Sequence, residues 1–196
     1  MISSDNFPEN KVAETQFPVI DVISNRWSPR AFSNQPVEEQ KLNSIFEAAR
    51  WAPSAFNKQP WSFYAGKQGD EIYQKIFGCL FPFNQTWVAA APVLVLCVAD
   101  TLDPKGELNR SYAYDCGQAV ANLSIQATSE GLFVHQMAGM DYKKLTENFE
   151  LPEFILPVIA FAIGYRGDIE LLPEGMQKTE RAPRTRKKLE EFVTML

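Results

Sequence analysis

The sequence predicts an α+β protein, and three observations carry that expectation. Two nearly continuous apolar runs, Pro92–Ala99 and Val158–Tyr165, have the pattern of strands buried on both faces rather than the alternation of half-exposed ones. A proline-free stretch from about Arg110 to Glu130, rich in alanine, has the length and composition of a long helix. Helical and extended segments also follow one another without the regular βαβ alternation of a parallel sheet.

The elements follow in order. Residues 1–17 are polar with little periodicity and read as an irregular arm. Pro18 opens a short helix in which Val19, Ile20, Val22 and Ile23 place apolar side chains on neighbouring turns. Pro36 marks a second helix start, with Glu38 and Glu39 in a first turn whose positive end favours carboxylates. Leu42, Ile45, Phe46 and Ala49 recur at helical spacing, and Pro53 ends the helix near Ala52 by disfavouring helical geometry in the residue before it. Trp61–Ala65 reads as a strand stopped by Gly66. The long helix carries the small residues Ala113, Cys116, Gly117, Ala119, Ala121 and Ala127, so it is expected to pack closely on both sides and to stop at Gly131. A short strand at Leu132–Gln136 follows, and Asp141 is the N-cap of a helix through Phe149. Gly164 and Gly167 close the second buried strand, and a basic tail, Arg181–Lys188, precedes a last short helix within residues 181–196. With 196 residues, 45% of them hydrophobic, and no repeat or linker, residues 1–196 are expected to form one domain around one core.

Composition excludes several function classes. A net charge of −5 and a pI near 5.0 argue against a nucleic-acid partner, which needs a basic surface. The longest nearly apolar stretch, Val88–Ala99, is too short to span a bilayer and contains Pro92, so no membrane role is expected. The first residues lack the basic and apolar regions of a secretory signal, which points to a cytoplasmic protein. Three cysteines, Cys79, Cys97 and Cys116, cannot form a full disulfide framework and are expected as small core residues. One histidine in the chain makes a Cys/His zinc site improbable, and no metal is expected.

The chemistry concentrates in two loops. In Arg26-Trp27-Ser28-Pro29-Arg30-Ala31-Phe32, two arginines and a serine share a proline-marked loop. Guanidinium groups bind phosphate by charge-assisted, bidentate hydrogen bonds, so the loop is a candidate anion clamp. About one helix later comes Pro53-Ser54-Ala55-Phe56-Asn57-Lys58-Gln59-Pro60-Trp61, with small and polar residues suited to close backbone approach.

Together, R-x-S-x-R-x-F, an amphipathic helix and P-S-x-x-N-x-Q-P-W resemble the nitroreductase family of flavin enzymes, and the resemblance extends from about Val19 to Phe192. It implies a central, mostly antiparallel sheet flanked by helices, and an intertwined homodimer with FMN at the interface. It also implies two-electron transfer from NADH or NADPH to a small-molecule acceptor such as a nitroaromatic or quinone. By this resemblance, Arg26, Trp27 and Ser28 belong to the loop that holds the ribityl phosphate, and Arg30 reaches the pyrimidine edge of the flavin. A cation there stabilises the negative charge that two-electron reduction places near N1 and O2. Pro53, Ser54, Ala55 and Asn57 approach the ring system, in the partner subunit's site. Gln59, Pro60 and Trp61 begin a strand that supports the loop. Asn84 matches an asparagine whose amide serves the donor–acceptor pattern of the pyrimidine edge. Gln136, Met137, Ala138 and Gly139 lie against the flavin, with the Ala138 and Gly139 N–H groups toward N5. Many members carry Pro-x-Glu-Gly there, and this departure bears on substrate preference. Arg184 and Arg186 match a basic pair that closes on the phosphate, although Arg181, Lys187 and Lys188 blur the register.

No catalytic side chain is implied, because the flavin carries the hydride; His135, at a strand end, reads as structural rather than as a proton donor. Gly66-Lys67-Gln68-Gly69 does not fit the glycine-rich dinucleotide fingerprint, so NAD(P)H and the acceptor are expected to use the same flavin face in turn, with ping-pong kinetics. Two alternatives stay open at this point: a flavoenzyme of the same fold that dehydrogenates, dehalogenates or breaks down flavin, and a flavin-binding protein without activity.

Overall fold

The computed structural model describes residues 11–195, and expectations for residues 1–10 and Leu196 lie outside the described residues. Four strands, β1 (Trp61–Lys67), β2 (Val93–Asp100), β3 (Phe133–Met137) and β4 (Ile155–Gly164), form a sheet in the order β1-β2-β4-β3. Every neighbouring pair is antiparallel, as the α+β expectation requires.

The apolar run of β2 has a simple cause. Side chains alternate faces along a strand, and both faces of β2 are covered. Leu94, Leu96 and Val98 pack into one core with Trp27, Phe32, Trp87 and Phe133. Val93, Val95, Cys97 and Ala99 pack into a second core against helices α2 (Glu39–Arg50) and α5 (Tyr112–Ser129). The sheet therefore separates two apolar layers, and residues 93–99 are buried throughout. The three cysteines are buried and unpaired.

Several elements differ from expectation for identifiable reasons. Helix α2 starts at Glu39 because Glu38 stays extended, at ψ 137°, as the N-cap. Strand β1 runs through Gly66 to Lys67, since the glycine marks a close backbone approach rather than a stop. A Cβ at Gly66 would lie 2.2 Å from the amide nitrogen of Tyr73, on helix α3 (Glu71–Phe77). Strand β4 begins at Ile155, and its register against β2 shifts between Cys97 and Val98, which pair with Ile159 and Pro157. That irregularity is where a proline is tolerated inside a sheet.

Two packing expectations fail within the protomer. Helix α1 (Asp21–Asn25) buries none of its residues, and Val19, Ile20 and Ile23 are exposed, because five residues cannot present an apolar stripe. Helix α5 is packed on one side only. Cys116, Ala119, Val120, Leu123 and Ala127 are buried, whereas Ala113, Tyr114, Gly117 and Ala121 face outward.

Helices α3, α4 (Pro82–Val88) and α7 (Glu174–Arg181) were not foreseen, being seven, seven and eight residues long. Two turns are too short for a periodic signal, although Pro82 at the first position of α4 is a usable start mark. Helix α6 (Tyr142–Asn148) follows expectation, with the Asp141 carboxylate accepting from the Lys144 N–H at 3.0 Å. The tail ends in a 3₁₀ turn at Leu189–Glu191. Among the described residues, no helix is long and apolar enough to cross a membrane.

Candidate functional site

The arginine loop owes its shape to the residues between the arginines. Trp27, Ala31 and Phe32 are buried anchors in the first core. Trp27 meets Phe133 edge-on at 6.1 Å, and Phe32 stacks on Trp87 at 6.1 Å. Gly167 donates to the Ala31 carbonyl at 2.7 Å and Ser33 to that of Tyr165 at 2.9 Å, so the loop is fastened just past the end of β4. Gly167 permits this approach, because a Cβ there would sit 2.3 Å from the Phe32 carbonyl oxygen. With its apolar residues turned inward, the loop presents Arg26, Ser28 and Arg30 to a cleft of about 240 Å³.

Two further groups hold this loop, and neither was singled out as a holder from sequence. Glu180 of α7 is 2% exposed, and its Oε1 accepts from the Arg30 and Ala31 N–H groups at 2.9 and 3.2 Å. His135 of β3 places Nδ1 2.8 Å from the Pro29 carbonyl and its ring 4.4 Å from that of Trp87. A neutral imidazole that donates through Nδ1 satisfies this contact.

The cleft gathers cations. Arg26, Arg30, Arg184 and Arg186 line it, joined by Lys11 from the arm. Burial, then the neighbouring Arg186, pulls the Arg26 pKa below the usual guanidinium range; burial, Arg26 and Arg186 do the same for Arg184. Among the described residues, none of these five cations has a carboxylate within ion-pair distance in the structure. Arg26 reaches the Ser28 hydroxyl at 3.4 Å, and Arg184 donates to the carbonyls of Lys11 and Ser24 at 2.9 and 2.7 Å. With five cations and the Glu180 carboxylate in its lining, the cleft carries an excess of positive charge, an arrangement suited to an anion. Of the tail cations, Arg184 and Arg186 line this cleft and also an adjoining groove with Lys187 and Lys188, whereas Arg181 is turned to Glu170.

Next to the cleft lies a second constellation. The Arg30 guanidinium sits 5.7 Å from the Phe83 ring centre, with its buried Nε lacking a partner. Asn84, in the first turn of α4, donates to the Gly139 carbonyl at 3.0 Å, and the Phe81 N–H donates to the same oxygen at 3.0 Å. Gly139 admits the asparagine because a Cβ there would lie 2.7 Å from Asn84 Nδ2. The turn uses the Ala138 carbonyl and the Met140 N–H for its own 2.9 Å bond. Gln136 and Ala138 are exposed, while the Met137 side chain is core, so only its backbone faces this region. Arg30, Asn84 and the Gly139 turn are therefore brought together by the fold.

The second loop goes elsewhere. Ala55 donates to the Asp115 carboxylate at 3.2 Å, Gln118 donates to the Pro53 carbonyl at 3.3 Å, and Gln59 donates to the Ser54 hydroxyl at 3.0 Å. The first two bonds fasten it to α5, on the opposite face of the sheet from the arginine loop, and the third closes the loop on itself. Phe56, Asn57 and Gln59 have φ of 53°, 55° and 46°, a left-handed geometry costing on the order of 1–3 kcal/mol each for such residues. Phe56 is 95% exposed, so the strain displays the loop instead of packing it. Within one protomer, the two motifs do not meet.

His135 yields a pH prediction. Burial, with a smaller contribution from Arg30, pushes its pKa down to about 4 from a usual value near 6.5, so it is no proton donor at neutral pH. The unfolded chain therefore binds this proton first. Stability is full above pH 6.5 and falls as pH drops toward 4, by roughly 3 kcal/mol over the whole interval. It is the one histidine of the chain, so its ring protons in the NMR spectrum report the titration directly. A midpoint near 6.5 in the folded protein would refute the assignment.

The fold and cleft define a protein with a cation-lined cleft beside an antiparallel sheet. The comparisons name its class. The chain matches the nitroreductase family over residues 23–86 and 80–165, and it belongs to that family. An uncharacterized 15.4 kDa protein of the ask 5′ region of Mycolicibacterium smegmatis is 34% identical over 127 residues, covering 63% of this chain and 82% of that protein. A relative from Methanothermobacter thermautotrophicus, provisionally named an NADH dehydrogenase/NAD(P)H nitroreductase, is 24% identical over 155 residues, covering 77% and 78%. The crystal structure of an FMN-containing oxidoreductase, 29% identical, superposes with a TM-score of 0.87 over 99% of this chain and 96% of that one.

Proposed function

We propose that this chain is an FMN-dependent oxidoreductase that passes two electrons from NADH or NADPH to an organic acceptor such as a nitroaromatic or quinone, by a ping-pong mechanism. One observation carries the reading: Arg30 of the arginine loop lines the cation cleft and also leans over Phe83, next to the Asn84–Gly139 contact, so a phosphate and a flat heterocycle can be held by adjoining surfaces. The residues fit the group. Arg26, Ser28, Arg184 and Arg186 hold the phosphate by charge-assisted bonds. Arg30 and the Asn84 amide serve the pyrimidine edge, and the Arg30 Nε lacking a partner is an unused donor in that region. The Ala138 and Gly139 N–H groups turn toward the ring, Gly139 leaving space that a side chain would take from Asn84.

When bound, FMN supplies hydride acceptance and delivery, in line with a donor and an acceptor using the site in turn. The chain's own groups bind, orient and set charge. The Arg30 guanidinium favours negative charge at the pyrimidine edge, and His135 stays neutral while holding the Pro29 carbonyl. The exposed Trp51, Phe56 and Tyr114, beside the outward small residues of α5, form the face on which a second copy docks. Docking there delivers the Pro53–Asn57 loop to the partner's ring site and explains why one protomer keeps the two motifs apart.

Purified protein should be yellow, with flavin absorbance bleached by NADH or NADPH and restored by a quinone or nitroaromatic. A colourless protein that takes up no added FMN would refute the reading. Loss of the flavin itself during aerobic turnover would point to flavin breakdown instead.

A further inference from the structure

Four of the five cleft cations belong to the two basic motifs; the fifth, Lys11, comes from the N-terminal arm. Its side chain lies within the cleft lining and is 4% exposed. Nζ sits 4.8 Å from the Trp27 ring centre and donates to the Ala182 carbonyl, at the end of α7. The Lys11 carbonyl in turn accepts from Arg184 at 2.9 Å, so arm, tail and arginine loop meet at this residue. A buried ammonium is costly unless compensated. Among the described residues, Glu180 is the carboxylate that favours its charge, and Glu180 Oε1 already accepts two backbone N–H groups. Arg184 and Arg166 act against it, and burial is the largest influence holding its pKa below the usual lysine value. An ammonium has three donors, and one is used on Ala182.

We propose that Lys11 is a phosphate-anchoring residue of the cofactor site, its remaining donors directed at the dianionic phosphate of FMN. This assignment rests on the FMN reading above. It explains why a lysine is buried among arginines: the ligand adds to the counter-charge that Glu180 supplies in part. It also makes the phosphate site a product of segments far apart in the chain, since Arg184 donates to the Lys11 carbonyl.

The test compares FMN with riboflavin, which has the same ring system and ribityl chain but no phosphate. Cofactor-free wild type, Lys11→Met and Lys11→Arg are titrated with each flavin, following fluorescence quenching. Methionine keeps an apolar stem over Trp27 and removes the charge. The expected result is a loss of FMN affinity on the order of 10- to 100-fold in Lys11→Met, with riboflavin affinity unchanged and much of the FMN affinity retained in Lys11→Arg. Equal FMN affinity in wild type and Lys11→Met overturns the proposal, and so does a parallel loss for both flavins, which marks a purely structural role. A wild type that binds neither flavin refutes the cofactor reading itself, and Lys11's role with it. Should Lys11→Met not fold, Lys11→Gln repeats the comparison, keeping a donor for the Ala182 carbonyl without the charge.

Discussion

Arg26→Ala should weaken FMN binding by about 100-fold, more than Arg30→Ala does, while leaving the cofactor-free protein at least as stable as wild type. The reasoning is electrostatic. Burial, and then the neighbouring Arg186, already disfavour the charge of Arg26. Removing it relieves repulsion in the empty cleft but deletes a guanidinium that would face a phosphate of nearly two charges. Arg30 differs, because its guanidinium leans over Phe83 toward the Asn84 cluster, where the oxidised ring is neutral. Its loss should therefore lower the flavin reduction potential more than the affinity. FMN dissociation constants and cofactor-free melting temperatures of the two variants decide the matter. Equal dissociation constants would count against the division of roles.

Glu180→Ala should be the most destabilising change near the site, costing about 3–5 kcal/mol and roughly 10 °C of melting temperature. Glu180 is 2% exposed, and the Arg30 and Ala31 N–H groups both end on its Oε1. Truncation leaves those donors without a partner and takes from Lys11 the carboxylate that offsets its buried charge. Glu180→Gln keeps an acceptor and loses only the charge, so it should fall between wild type and alanine. Thermal unfolding of the three proteins is the measurement. A loss below 1 kcal/mol for the alanine variant would mean that Trp27, Ala31 and Phe32 hold the loop without help.

The site's chemistry was legible where it depends on residue type along a short stretch. Arg26, Ser28 and Arg30 alternate with Trp27, Ala31 and Phe32, and the structure turns the first set to the cleft and the second to the core. Arg184 and Arg186 line the same cleft as the arginine loop, while Lys187 and Lys188 line only the adjoining groove that the two arginines share, a difference that the spacing did not show. Glu180 and Lys11 were not legible. Each is one charged residue in a polar segment, about 150 and 20 positions from the loop it serves, and nothing local distinguishes it from a solvated one.

The sequence by itself determined the α+β class, a buried strand within Pro92–Ala99, a long helix within about Arg110–Glu130 and the residue types of an anion loop. These follow from side-chain periodicity and from the chemistry of guanidinium groups, both local properties. Only the tertiary structure decided that the arginine loop and the Pro53–Asn57 loop lie on opposite faces of the sheet, and that Asn84 meets Gly139. It also decided that Lys11, the arginine loop, Arg184 and Arg186 converge on one cleft. Such contacts join residues far apart in the chain, and they are set by how two apolar layers close on the sheet, which no single segment encodes.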